Sequence, residues 1–504
     1  MDAIKEQRRP ENIPDVFFLF LQKHETLLSV VFKMGGICMN KKLGLPSAIA
    51  VTVGLIVASS CLLSLGTGIG LAGKGFVISM FIVLILNICL ALSFSELHDL
   101  MPDAEGGMGQ YTKVGLGSVP SIISNISAYV VVNLLAASVE IAMCGMVVNE
   151  LFLPQVPSPV ISLIFLAVLL LINYHGIDIF SRIQNIVVAL LLLSILGMGL
   201  ISSLKLGTGQ IIDAASQTVP SVTSPGGYIS LSAMALWLFI GIEFVIPVAK
   251  DLKNPKRDVL LAMILGISIL FVLQSILGNG MTNYVTYEEL ASSSMPHMVF
   301  AQNLLGDAGS LWMGIVTILA AVSTANTVLG SIPNVLSGMA ENDLLPVVFA
   351  KKNKHNVALA GMFFIGIGDA VLTITGVTNS STLSSLLLAA SCFWLTSYIL
   401  VNLTVLVLRR RYPDHPARRK SLVLGGIPQI IAIIGDVYMI VNIAEGAQRI
   451  FIYELYFVIF AVTLGYALIW TRLIKKQPMF VPADLSDIEG SAPGFYEKHQ
   501  PASI

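Results

Sequence analysis

Apolar and polar positions along this chain fall into long blocks rather than the short periods of a water-soluble protein. A helix needs about 20 consecutive apolar residues to cross the hydrocarbon of a bilayer, and blocks of that order recur along the whole sequence. Twelve are expected, at 46–64, 76–94, 120–148, 160–174, 183–204 and 229–249, then 259–277, 310–332, 357–375, 384–408, 428–443 and 451–473. Ahead of them, residues 13–34 carry FFLFL and LLSVVF on either side of Gln-Lys-His-Glu-Thr, too interrupted to span and expected to lie as an interfacial helix. Residues 476–504, rich in Pro, Gly, Ser and acids, read as a disordered tail.

Composition agrees with this pattern, since 55% hydrophobic and 12% charged residues are far from the balance of a soluble domain. The net charge of −1 conceals a segregation of sign. With the N-terminus inside, 26 of the 29 lysines and arginines fall in inward segments, and only Lys74, Lys205 and Arg449 face outward. The positive-inside rule therefore places both termini in the cytoplasm of a multi-pass cell-membrane protein. It also leaves no lysine or arginine deep in a span, and the cationic runs at 250–257 and 409–420 read as topology determinants. No secretory signal is expected, because residues 1–15 are polar and charged and the apolar run at 16–21 is too short. Cys38, Cys61, Cys89, Cys144 and Cys392 stand at unrelated spacings and read as packing residues rather than a metal or disulfide framework. No phosphate loop, HExxH, CxxC pair or GxSxG elbow occurs, so neither enzyme, nor cofactor, nor nucleic-acid partner is expected.

The most informative stretch is 236–257, LWLFIGIEFVIPVAKDLKNPKR. Unpaired, an acid such as Glu243 at the centre of a span costs about 2.5–3.5 kcal/mol on insertion scales. Gly241 beside it relaxes the helix and frees backbone groups that a cavity or ligand must satisfy. Together they describe a discontinuous helix at a midplane site, as in secondary transporters. The plainer alternative is a kinked helix whose glutamate bonds a neighbour.

Several segments, covering nearly the whole apolar region, resemble the amino acid–polyamine–organocation superfamily of permeases. Gly54-Leu-Ile-Val-Ala-Ser-Ser-Cys-Leu is similar to the family's GxxxGSGIF, and Ser95-Glu96-Leu97 with Pro102-Asp-Ala-Glu-Gly-Gly and Tyr111 to its AEL…PxAGGxYxY loop. Asn173 to Gly176 with Gln184 matches Nx(x)G…Q, and Gly241-Ile-Glu243 with Lys253-Asn-Pro-Lys-Arg257 matches GxE…KNPxR, the most specific signal. Ser323-Thr-Ala-Asn, Leu344-Leu345-Pro346 and Leu408-Arg-Arg-Arg-Tyr-Pro413 complete the set, and LWLFIGIE resembles the arginine/agmatine antiporter subgroup.

The resemblance implies an all-α integral membrane fold of twelve transmembrane helices, an inverted 5+5 helix repeat plus two peripheral helices. Residues 1–42 would be the cytoplasmic N-terminal segment, 43–206 and 207–420 the two repeats, 421–475 the extra pair and 476–504 the cytoplasmic tail. The first helix of each repeat would be broken, at Ala58, Ser59, Ser60 and Cys61 and around Trp237, Phe239 and Gly241, and these residues would bind substrate. Helix N-termini at the breaks suit a carboxylate, and freed carbonyls suit an ammonium. Trp237 would cover the substrate by cation–π attraction, and Glu243 would serve coupling or gating.

This chain also departs from the family. Ala58 and Ser60 stand where it has glycines, its usual arginine near Asn334 is missing, and 186–193 (IVVALLLL) lacks the lysine that mimics bound sodium. Ser323 and Thr324, with Asn326, form a weak candidate sodium site, against the ordinary habit of helical Ser/Thr of bonding the i−4 carbonyl. Glu140 and Asp369, also in apolar spans, read equally as proton or substrate groups or as packed acids. The expected function is secondary active transport of an amino acid or related amine, with proton or sodium as the coupling ion. Its rivals are an obligatory exchanger, which is an antiporter rather than a symporter, and a nutrient sensor that binds without transport. Lipid and the small-molecule substrate are the expected partners, and the oligomeric state is left open.

Overall fold

In a computed structural model of the chain, the described residues are 43–487 apart from 103, 105, 106, 177–179, 214–216, 218 and 418–423. The expected interfacial helix at 13–34 and Cys38 lie outside them. Helix α1 (Leu45–Ile56) opens with Pro46 in its first turn, where the missing N–H costs nothing. It stops at Val57 and Ala58, both extended, and α2 (Ser59–Ala72) begins at once. Then follow α3 (Phe76–Leu100), α4 (Gly107–Leu116) and α5 (Ser118–Leu151), the last interrupted by a π-turn at Ile126–Val131. Next come α6 (Ser158–Tyr174), α7 (Phe180–Ser203) and the short α8 (Ser232–Leu236), which gives way through Trp237–Ile240 to a 3₁₀ segment, Ile242–Asp251. The remainder comprises α9 (Pro255–Met281), α10 (Pro296–Leu305), α11 (Asp307–Glu341), α12 (Leu359–Ile374), α13 (Leu383–Arg411), α14 (Ile427–Val441) and α15 (Gly446–Ile469).

The apolar blocks expected from the sequence fall on these helices except that at 229–249, which is helical at Ser232–Leu236 and then runs through Trp237–Ile240 into the 3₁₀ segment. Among the described residues seven helical stretches are long and apolar enough to cross a membrane, and four shorter apolar helices accompany them. Burial is distributed as a bilayer requires. Ile164, Leu171, Ile367, Ile434, Val458 and Val462 are more than half exposed, whereas Glu96, Glu140, Glu243, Asp369, Asn402 and Gln429 are buried. Hydrocarbon solvates the first set, and backbone and side-chain partners must satisfy most of the second. Cys61, Cys89, Cys144 and Cys392 are buried free thiols, as packing residues should be.

Two features were not expected. Leu43 N–H donates to Asp251 O (2.8 Å) and Lys253 N–H to Leu43 O (2.9 Å), lacing the start of α1 to the end of the 3₁₀ segment. The tail, read as disordered from 476, is instead held along 477–487. Val119 N–H bonds Met479 O, Ala483 N–H bonds Lys113 O, and Arg411 Nη1 donates to Val114 O and Ala483 O. Leu485 is fully buried and its N–H meets the Tyr412 hydroxyl. The Ser486 N–H, helped by its hydroxyl and the Arg411 charge, holds the Asp484 carboxyl below its usual range. Acidic composition masked one apolar anchor. Leu485→Asp, which buries an unpaired charge, is expected to free this segment, so that limited proteolysis cleaves after Lys476 at least about tenfold faster than in wild type; equal cleavage rates would mean the docking contributes nothing in solution.

Candidate functional site

The first helix break places a row of donors at the N-terminus of α2. Ala58, half-buried, is the extended N-cap residue (φ −131°, ψ 166°), and Ser59, Ser60 and Cys61 follow it, all buried. Unpaired N–H groups and the helix dipole give such an end partial positive charge. The sequence suggested that a substrate carboxylate would take these donors. Glu140 of α5 takes them instead, since Ser60 N–H donates to its Oε1 at 2.9 Å and the Ser59 hydroxyl donates to Oε2. Glu140 is completely buried. A carboxylate from another helix thus caps α2.

The second break rests on Gly241, whose φ of +101° and ψ of 22° are left-handed. Trp237, just before it, donates its indole N–H to Ser60 Oγ at 3.0 Å, joining the two breaks directly. The Cys61 thiol adds a long contact to Trp237 O (3.6 Å). On the far side, Gln274 Nε2 of α9 donates to Leu238 O at 3.3 Å, satisfying a carbonyl left by the break. Phe239 is fully buried in the same core. Glu243, in the first turn of the 3₁₀ segment, accepts from the Tyr398 hydroxyl through Oε2 (3.2 Å) and keeps Oε1 buried without a hydrogen-bond partner. The Tyr398 hydroxyl also stands 3.5 Å from Gly241 N. The neighbouring Phe244 ring meets Trp394 edge-on, with centroids 6.1 Å apart, and lies 6.5 Å from the Tyr129 ring, which the π-turn of α5 carries. Turns of that kind recur at functional positions.

The candidates thus separate. Ala58, Ser59, Ser60 and Cys61 at one break and Trp237, Phe239 and Gly241 at the other are brought together by the Trp237–Ser60 bond, with Glu243 two residues beyond Gly241. Ser323 and Thr324 lie on α11; the Ser323 carbonyl accepts from Thr327 Oγ1, and Asn326 Oδ1 accepts from Asn173 Nδ2 at 2.7 Å. Asp369 is fully buried on α12, and neither of its carboxylate oxygens has a hydrogen-bond partner.

Sequence reasoning missed the α13 side of the site. Trp394, Tyr398 and Asn402 stand four residues apart on one face of an apolar helix, a polar stripe that periodicity could have revealed. It also missed the role of Arg409, read only as a topology determinant. Arg409 is nine-tenths buried and forks onto Glu96, with Nη2–Oε2 at 2.6 Å and Nε–Oε1 at 3.0 Å. From there a chain of hydrogen bonds runs through Gln429, Ser93 and the Asn402 side chain to the Tyr398 carbonyl. An ion pair at the end of α13 is therefore wired to the tyrosine that holds Glu243.

Comparison with known proteins follows the same lines. The profile of a family described as "Amino acid permease" matches residues 43–468. The branched-chain amino acid permease BcaP of Bacillus subtilis (strain 168) is 23% identical, over 80% of this chain and 88% of its own length. The putrescine transporter PotE of Escherichia coli (strain K12) is 24% identical, over 82% and 93%. The glutamate/serine transporter AimA of Bacillus subtilis (strain 168) is 25% identical, over 76% and 74%.

Proposed function

Because this chain belongs to the amino acid permease family, we propose that it is a secondary transporter of amino acids or related amines, working by alternating access at its two helix breaks. Twelve spans, the inverted repeat of 43–206 and 207–420, and cytoplasmic termini are part of this reading. The observation that carries it is the meeting of two non-helical segments in a buried polar cluster, α1/α2 at Ala58 and the α8/3₁₀ junction at Gly241, bridged by Trp237 and Ser60. Irregular backbone inside a membrane is tolerated where protein or a cavity covers it, and substrate-sized binding at such breaks is how transporters use it. The relatives' names support the cargo class, running from branched-chain amino acids and glutamate or serine to a diamine.

Glu243 is the residue through which occupancy would reach the gates. It holds one oxygen free and the other on Tyr398, which in turn touches Gly241 N–H and heads the hydrogen-bond chain to Arg409. Neutralising it should therefore slow movement more than binding. Glu243→Gln is expected to lower turnover at least about tenfold while changing substrate affinity less than about threefold; equal losses in the two would make Glu243 a ligand instead. An obligatory exchanger is the second reading, favoured by the apolar stretch 186–193, which offers no fixed cation. Proteoliposomes loaded or empty, under imposed proton or sodium gradients, test both. Accumulation into empty vesicles driven by one ion supports coupled transport, and flux only after preloading supports exchange. Binding without flux would refute both and leave a sensor.

A further inference from the structure

An amino acid entering the two breaks needs an anion site for its carboxylate, and the donors suited to that are already engaged. Ser60 N–H and the Ser59 hydroxyl bind Glu140, which has no solvent exposure and sits at the positive end of a 14-residue helix. A second carboxylate placed there would meet the first at contact distance, and like charges so juxtaposed in a buried site are strongly disfavoured. The remaining polar features point to the opposite charge. Glu243 Oε1 is buried and has no hydrogen-bond partner. The Trp237 indole, itself buried, bridges the breaks through Ser60. Among the described residues no ion pair joins a lysine or arginine to Glu140 or Glu243.

We infer that Glu140 stands in for the carboxylate of an amino acid, and that the cargo is an organic amine without an α-carboxylate, its cationic nitrogen drawn to Glu140. The inference rests on the reading that the breaks hold the cargo. It narrows that reading from amino acids or amines to amines.

Matched pairs differing only in the carboxylate test it: lysine with 1,5-diaminopentane, ornithine with 1,4-diaminobutane, arginine with agmatine, and leucine with 3-methylbutylamine. Binding to the purified full chain and flux in proteoliposomes are measured separately. In wild type at least one amine should bind about 30-fold or more tightly than its parent amino acid. Glu140→Gln, which keeps a hydrogen-bonding cap and removes the charge, should weaken that amine at least about tenfold without a large change in melting temperature. Glu140→Ala, which frees the Ser60 N–H, should shift the ratio toward the amino acid. Should the alanine variant fail to fold, the glutamine variant decides. Amino acids binding wild type as well as their amines, no amine binding at all, or a ratio indifferent to both substitutions would each overturn the inference. Amine preference without flux would sustain it and refute transport. Flux with amino-acid preference would do the reverse.

Discussion

Replacing Gly241 by leucine is expected to reduce uptake at least about 100-fold while the protein still inserts and purifies as a single species. The conformation forbids a side chain twice over. At φ +101° an L-residue carries a backbone penalty of roughly 1–2 kcal/mol, and a Cβ built there would stand 2.8 Å from Cδ2 and Cε2 of Phe244. Moving that ring would disturb its contacts with Trp394 and Tyr129. Leucine would force the junction toward regular helix or push Phe244 off its neighbours, and either closes the break. Gly241→Ala should give a smaller loss, since it meets the same Cβ contact without the larger side chain. Uptake into proteoliposomes, with size-exclusion profiles as the folding control, checks the series. Wild-type uptake by the leucine variant would mean the functional site lies elsewhere.

The largest effect on stability is expected from the buried pair of Glu96 and Arg409. Their side chains are 4% and 10% exposed, and the guanidinium makes a forked contact with the carboxylate while Nη1 reaches Gln429 Oε1 of α14. Removing one partner breaks this forked contact in a low-dielectric interior, and breaking a buried pair costs about 3–5 kcal/mol. Arg409→Met and Glu96→Leu should thus each depress the detergent-solubilised melting temperature by several degrees. The double substitution Glu96→Leu with Arg409→Met removes both charges and restores apolar volume, so it should recover most of the loss. Melting curves of the two single variants and the double close the cycle. Additive losses would show that the charges act independently. Since the pair leads through Gln429, Ser93 and Asn402 to Tyr398, the singles should also lower turnover beyond what their stability explains.

Much of this architecture is written in the sequence in a form that physics can read. A bilayer sets the block length, so the spans are legible from hydrophobicity alone, and the isolated Gly241 and Glu243 mark a break because both are costly inside a regular helix. The Ala58–Cys61 break was legible only through resemblance, since Ala-Ser-Ser-Cys carries no intrinsic breaking signal. What stayed hidden depends on pairing between distant segments. Glu140 is one acid in an apolar run, and nothing local says that it will reach Ser59 and Ser60 some 80 positions earlier. Arg409 sits in a cationic run that topology alone explains, and only the packing of α3 against α13 delivers Glu96 to it. The docked tail shows the same limit, because Leu485 is one apolar residue in a polar stretch.

Access to the first break from the two sides of the membrane is the most direct test of alternating access. Ala58 is half-buried where its neighbours Ser59, Ser60 and Cys61 are buried, so a cysteine there can report on the site with the wild-type background subtracted. Ala58→Cys in oriented vesicles would be exposed to a membrane-impermeant thiol reagent from either face, with and without transported substrate. Reaction from both faces, with substrate shifting the ratio between them and slowing the total, is the result expected of an alternating site. Reaction from one face only, at a rate indifferent to substrate, would contradict it.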